Sequence, residues 1–408
     1  MVALVVFAVI VHALAVIIVI AALVLMVMLH EFGHFATAKL SGMKVTEYFL
    51  GFGPRLWSVR RGETEYGVKA IPAGGYVRII GMTSAEEVDP EDEPRTYRQA
   101  SFPRRLAVGV AGSAMHFVMA FLLLFALFVG IGLPVSTGTA VGGLYGFTGG
   151  KSPAQIVGLR PGDVFVSIDR KPMSDENAII SYVEAHVGKQ LTIVVRRHGQ
   201  DETFTVRPVD GRHEVQKGTK TPIRPANGPA SGVLGIILEP LSKNVPRGFF
   251  SSIVSAGGMV GSLTKGTALA ITQIFSLHGL TSFAADVAGS PGNAASSSQP
   301  SADRPVSIVG VVQIASQAAR QDVAELLLIL AAVNIFVGML NMFPMLPLDG
   351  GHVVIAVYER IRSRRGRRYF ADVQKMMPVA YLVLTFLVIF GLGALYLDIV
   401  HPINLSGG

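Results

Sequence analysis

Apolar residues crowd into four stretches of the chain. Residues 1–29 hold no Asp, Glu, Lys or Arg, and the runs at about 106–133, 324–343 and 377–397 are almost as apolar. A membrane-crossing helix needs about 20 such residues, so each stretch predicts one span. The first reads as a span and not as a cleaved leader, because it lacks a basic start and a small-residue cleavage site and its apolar core is too long.

Between the spans the pattern changes period. From 150 to 240, the runs VFVSI, QLTIVVRR and ETFTVRPV alternate apolar and polar positions between turn residues, and ENAIISYVEAHVG reads as a helix. A compact α/β or β-rich domain is predicted there. Residues 247–283 are apolar but rich in Gly, Ser and Thr and interrupted by Lys265, which predicts an amphipathic interfacial helix, with a fifth span as the alternative. Residues 285–304 read as a linker. In 40–105, GETEYGVKA and YVRIIG flank Pro-Ala-Gly-Gly, which predicts a β-hairpin over 62–82. Such an edge could pair with an extended peptide; an ordinary cytoplasmic hairpin fits the residues equally well.

Charge sets the orientation. The chain carries 35 Lys and Arg against 28 Asp and Glu, and the basic residues concentrate in two loops. Ten lie from Lys44 to Arg105, and six arginines lie in RIRSRRGRR, Arg360 to Arg368. Basic loops beside apolar spans face the cytoplasm, so both termini and the segment at about 134–322 are predicted outside. A nucleic-acid partner for the arginine run is set aside for that reason. The acidic tract EEVDPEDEP at 86–94 reads as a solvated loop. Cysteine is absent, so any metal must rest on His, Asp or Glu.

The first span ends in His30-Glu31-Phe32-Gly33-His34. With 10 His and 15 Glu in the chain, this pattern is expected by chance about 0.01 times. On a helix, positions i and i+4 share a face, so both imidazoles can hold one zinc ion while Glu31 acts as general base. A catalytic zinc usually takes three protein ligands. The predicted third is Asp349, where Pro344 and Pro347 break the third span near the same membrane face and Gly350 and Gly351 allow a tight turn. Among the other histidines, His12 reads as an interface or pore-edge residue, His116 as a packing residue, and His352 as either a tuning residue or a plain loop histidine.

HEFGH and Asn341-Met-Phe-Pro-Met-Leu-Pro-Leu-Asp349-Gly-Gly resemble the motifs of the site-2 proteases, intramembrane zinc metalloproteases that include RseP-like bacterial regulators. Gly51-Phe-Gly-Pro54, Pro72-Ala-Gly-Gly-Tyr-Val-Arg78 and a PDZ-like stretch, Ser152 to Asp169, extend the resemblance over most of the chain. It implies a polytopic α-helical membrane protein with about four transmembrane helices, a membrane-associated β-hairpin and one extracytoplasmic PDZ-like domain. Its parts are 1–39 (first span), 40–105 (reentrant β-loop), 106–133 (second span), 150–240 (PDZ-like), 247–283, 285–304, 324–351 (third span with its LDG motif) and 377–397 (fourth span). It further implies zinc on His30, His34 and Asp349, Glu31 as catalytic base, and substrate contact at Asn341, Gly74, Gly75 and Tyr76. The implied substrate is a single-pass membrane protein, such as an anti-sigma factor or a signal-peptide remnant, cut in the bilayer of the bacterial cytoplasmic membrane during regulated intramembrane proteolysis. Two departures stand out. Leu346 replaces the family's second proline, with Pro347 following, and Ala111-Gly-Ser-Ala-Met-His116-Phe stands where many members carry A-G-P-x-x-N-F. His116 could therefore also stand in for that asparagine. The rival reading is a non-catalytic membrane scaffold that displays a PDZ-like module.

Overall fold

The computed structural model describes residues 2–82, 86–219, 222–225, 227–289, 304–363 and 369–400. It divides into two compact units, Ile131–Arg247 and the flanking Met1–Gly130 with Gly248–Gly408.

Among the described residues of the flanking unit, four helices are each long and apolar enough to cross a membrane. They are α1 (Val2–Leu40), α2 (Phe102–Ala126, continued by a π-turn to Ile131), α8 (Val323–Asn341) and α10 (Met377–Val400). The ends follow local chemistry. Pro103 sits in the first turn of α2, and the Asp322 side chain accepts the Ala324 N–H to cap α8. Their outward faces stay apolar: Ile17 and Leu25 on α1, Leu122 on α2, and Leu382 and Ile389 on α10 are each more than half exposed. Water would not tolerate a surface of that kind, whereas acyl chains do.

The third span departs from its expected extent of 324–351. The helix stops at Asn341, and Asp349 opens a separate helix, α9 (Asp349–Arg362). Pro344 and Pro347 cannot continue a helical ladder. Gly350 and Gly351 let the new helix press on the backbone of Met342–Leu346, where a Cβ would come within 2.2 Å and 2.6 Å of main-chain atoms.

The segment at 247–283 is two helices, α5 (Phe249–Ile274) and α6 (Leu277–Val287), bent by 69°. Ser276 marks the break, its hydroxyl accepting the Gly279 N–H. α5 packs against α2 and α8. Helix α7 (Ile308–Gln321) follows and packs on α1. Of the expected linker, residues 290–303 lie outside the described residues, as do 364–368 of the arginine run.

The β-region has a different pairing from the expected hairpin. Strands β1 (Val45–Arg61) and β2 (Thr64–Ile79) turn at Gly62–Glu63. Residues 75–79 do not pair back on 64–69; both segments pair with Val45–Leu50, so that Tyr48 is registered against Val77 and against Tyr66. Gly51 and Gly53, both with positive φ, let β1 bend and return along Lys69–Thr64. Two bent strands thereby make a sheet several segments wide. Glu63 fastens it: Arg95 forks onto its carboxylate at 2.7 and 2.9 Å, and Lys39 at the end of α1 adds a 2.5 Å contact. The Arg95 guanidinium holds the Glu63 carboxyl down to about 2, with Lys39 adding to the effect against partial burial. The acidic tract at 86–94 is likewise not simply solvated, since Glu93 pairs with Arg98, Glu86 with Arg78 and Asp92 with Lys44.

The other unit is wider than the expected 150–240. Its main sheet runs β10 (Ile236–Val245), β3 (Leu133–Leu144), β4 (Val164–Ile168), β6 (Leu191–Arg197), β7 (Gln200–Val206), with β5 (Lys171–Pro172) returning on β4. A short pair, β8 (Val209–Asp210) and β9 (Gly232–Val233), stands apart. A short helix, α3 (Pro153–Val157), precedes β4; strands β4, β6 and β7 match the alternating runs read from sequence, and helix α4 (Glu176–Ala185) matches the helical stretch. Their inward residues Phe165, Ile168, Leu191, Ile193 and Val195 close a core with Ile179 and Val183 of α4.

Candidate metal centre

His30, Glu31 and His34 lie within α1, six to ten residues before its end at Leu40. Helical spacing brings the two imidazoles to one face, with Nε2 atoms 3.2 Å apart. The Nδ1–H of His34 donates to the Val108 carbonyl of α2 at 2.8 Å, which leaves a lone pair on His34 Nε2. Asp349 comes in from the start of α9. Its Oδ2 lies 3.4 Å from His30 Nε2 and 3.2 Å from His34 Nε2. These three residues are 319 positions apart at their extremes, yet one donor atom from each falls within 4.8 Å of the others.

Glycines make the space. A Cβ on Gly112 of α2 would stand 2.3 Å from His34 Nε2 and 2.5 Å from His30 Cε1. A Cβ on Gly33 would stand 2.6 Å from the Ala111 carbonyl oxygen, so α1 and α2 touch backbone to backbone at this level. Asp349 Oδ2 is buried without a hydrogen-bond partner. A buried acceptor in that condition costs free energy unless something positive faces it. Two imidazoles, one carboxylate oxygen and the room beside Gly112 fit a zinc ion with three protein ligands.

Glu31 adjoins this cluster on the side of the sheet. Gly75 of β2 packs on it, a Cβ there falling 3.1 Å from Glu31 Cγ, and Tyr48 of β1 donates to the Met28 carbonyl at 2.8 Å. Tyr76 turns its ring between Phe49 and Phe52, with both centroids 5.9 Å away, and its hydroxyl bonds Glu47 and Lys69. Its side chain is therefore committed to the sheet, and what Gly75 presents beside Glu31 is backbone.

The whole arrangement is that of a metallohydrolase built at the end of an apolar helix. A model of the family described as Peptidase family M50 matches residues 18–385. This chain belongs to that family. It is 34% identical to the zinc metalloprotease Rip1 of Mycobacterium tuberculosis (strain ATCC 25618 / H37Rv), over 94% of this chain and 96% of the relative. Identity to Rip1 of Mycolicibacterium smegmatis is 31%, over 94% and 97%. A putative zinc metalloprotease of Clostridium acetobutylicum is 25% identical over 93% and 95%. The chain is a zinc metalloendopeptidase of the site-2 type and an integral membrane protein, from a family that acts on membrane-protein substrates in the bilayer.

In this M50 peptidase, sequence reasoning named the two histidines and the aspartate that the fold brings together. It did not find Gly112, whose lack of a side chain makes room for both imidazoles. His116 is fully buried, as a packing residue should be, but its neighbours are specific. Its Nδ1 lies 3.1 Å from Asn334 Oδ1 and its ring centroid 5.0 Å from that of His30. Asn334 in turn donates from Nδ2 to the Leu330 carbonyl, so its Oδ1 accepts from His116. Asn341 is the last residue of α8, and His352 stands one turn after Asp349 on α9. The side chain of His12 lies outside the described side chains.

Proposed function

We propose that His30, His34 and Asp349 hold the catalytic zinc and that Glu31 is the general base. The observation that carries this is the convergence of three electron-pair donors, among them a buried Asp349 Oδ2 with no hydrogen-bond partner. Lone pairs brought to 3.2 to 3.4 Å repel unless a proton or a metal cation lies between them, and three such donors on one point match the ligand set of a zinc ion. When bound, zinc polarises the scissile carbonyl and makes water acidic enough to attack near neutral pH. Glu31 takes the proton of that water on a carboxylate oxygen and returns it to the leaving amine nitrogen.

A helical peptide bond is shielded by its own ladder, so the substrate must be extended at the site. Gly75–Ile79 pairs with β1 on one side only among the described residues, and Gly75 packs on Glu31. That supports Gly74, Gly75 and Tyr76 as a backbone edge on which an unwound substrate segment lies as an added strand. Asn341, at the end of α8, is assigned to substrate contact by family resemblance. The substrate is a single-pass transmembrane protein, such as an anti-sigma factor or a signal-peptide remnant, cut in regulated intramembrane proteolysis. The basic loops support a site near the cytoplasmic face of a bacterial cytoplasmic membrane, with both termini and the Ile131–Arg247 unit outside. That unit is read as PDZ-like. Its groove between α4 and β9–β10, lined by Phe165, Ile179, Val183, Leu234 and Leu238, supports a role in peptide binding or substrate screening.

Full-length protein in detergent, stripped with a zinc chelator, should stop cutting a reporter transmembrane helix. One equivalent of zinc should restore cleavage. Cleavage that persists in the stripped protein would remove the zinc step, and a scaffold would cut nothing in either state.

A further inference from the structure

One buried ion pair takes no part in this chemistry. Arg105 lies in the first turn of α2 and Glu359 near the end of α9, 254 residues apart in sequence, with side chains only 11% and 8% exposed. Glu359 Oε2 accepts from Arg105 Nη2, while Oε1 accepts the Ala371 N–H at 2.7 Å. The Arg105 guanidinium also lies over the Tyr97 ring, 5.0 Å from its centroid. Buried ion pairs add little net stability over well-packed apolar groups, so stability alone does not account for one here.

The placement does. Helix α2 presents one stripe to both helices that carry the donor atoms. Val108 and Gly112 receive α1: the first accepts His34 Nδ1–H, and the second leaves room for both imidazoles. Arg105 and Gly109 receive α9, with Gly109 so close to Val353 that a Cβ would stand 3.0 Å from its methyl. Positions 105, 108, 109 and 112 recur at the three- and four-residue spacing of one helix face. Asp349 begins α9, ten residues before Glu359, so the ion pair and the carboxylate lie at opposite ends of a rigid lever about 15 Å long. Through Ala371 the same glutamate fixes a second contact, because Ala371 packs with Ile355 and with Leu346 in the loop that leads into Asp349.

We propose that Arg105 and Glu359 are positioning residues for the metal centre: they set α9 on the stripe of α2 that already holds His34, so that Asp349 meets the two imidazoles. This rests on Asp349 being a zinc ligand. The test uses the full chain in detergent, zinc affinity by competition with a chromogenic chelator, and the visible spectrum of the cobalt(II)-loaded protein. Glu359→Gln keeps the shape and the acceptor for Ala371 but removes the charge. It should weaken zinc binding about tenfold or more and alter the cobalt spectrum, the range seen when groups that orient ligands are changed. Arg105→Gln, which breaks the pair from the other side and leaves the Glu359–Ala371 bond in place, should weaken zinc binding to a similar extent. A Glu359→Gln protein with wild-type zinc affinity and an unaltered cobalt spectrum, whatever its unfolding temperature, overturns the proposal, as does an Arg105→Gln protein that binds zinc as wild type does. The underlying reading is checked separately by Asp349→Ala, which must lose zinc; if it keeps wild-type affinity, the ligand assignment itself is wrong.

Discussion

Glu31→Gln should reduce cleavage of a reporter transmembrane helix by about 10³-fold or more while leaving one zinc per chain. The size follows from removing the group that accepts and then returns a proton, a contribution of about 10² to 10⁴ in enzymes that depend on it. Retention of zinc follows from geometry, since the donor cluster is His30, His34 and Asp349 and does not include Glu31. The amide keeps the volume and the packing against Gly75. Product formation and metal content measured on the same preparation decide the matter. Cleavage within a few-fold of wild type would show that the proton is handled elsewhere.

Gly112→Ala should be nearly as damaging, by a different route. The added methyl would lie 2.3 Å from His34 Nε2 and 2.5 Å from His30 Cε1, closer than non-bonded atoms approach. The backbone of α2 cannot retreat easily, because other helices already press on it: Gly109 lies against Val353 of α9, and Gly338 of α8 lies against Ser113 and His116. The imidazoles must therefore rotate away, and a site that needs both loses its ion. Zinc affinity should fall by about two orders of magnitude or more, with cleavage falling alongside. Gly130→Ala, where a Cβ meets open space, is the control on the same segment and should bind zinc as wild type does. Normal zinc content in Gly112→Ala would mean that the space beside Gly112 is not where the ligands meet.

What the sequence revealed was chemistry written locally. HEFGH is legible because two ligands and a base fit within five residues of one helix, and the prolines and glycines around Asp349 announce a broken span. What it hid was contact between distant segments. Gly112 is one of 45 glycines, and only the approach of α1 marks it out. Arg105 reads as an orientation signal in a basic loop until Glu359 arrives from the other end of the chain. The PAGG turn suggested a local hairpin, but both of its flanks found a better partner in Val45–Leu50, which no local pattern encodes. Strands β3 and β10 escaped notice because Pro-Val-Ser-Thr-Gly-Thr lacks the alternation of a half-buried strand. Their register with each other, Leu133 against Val245 through Leu144 against Ile236, is set by pairing across the domain.

The most direct measurement is X-ray absorption at the zinc edge on purified full-length protein. The account predicts one zinc per chain with two imidazole nitrogens at about 2.0–2.1 Å and carboxylate oxygen completing the protein ligands. In Asp349→Ala the zinc should be lost or the oxygen contribution reduced. A protein that holds no zinc, or a wild-type spectrum without imidazole scattering, would contradict it.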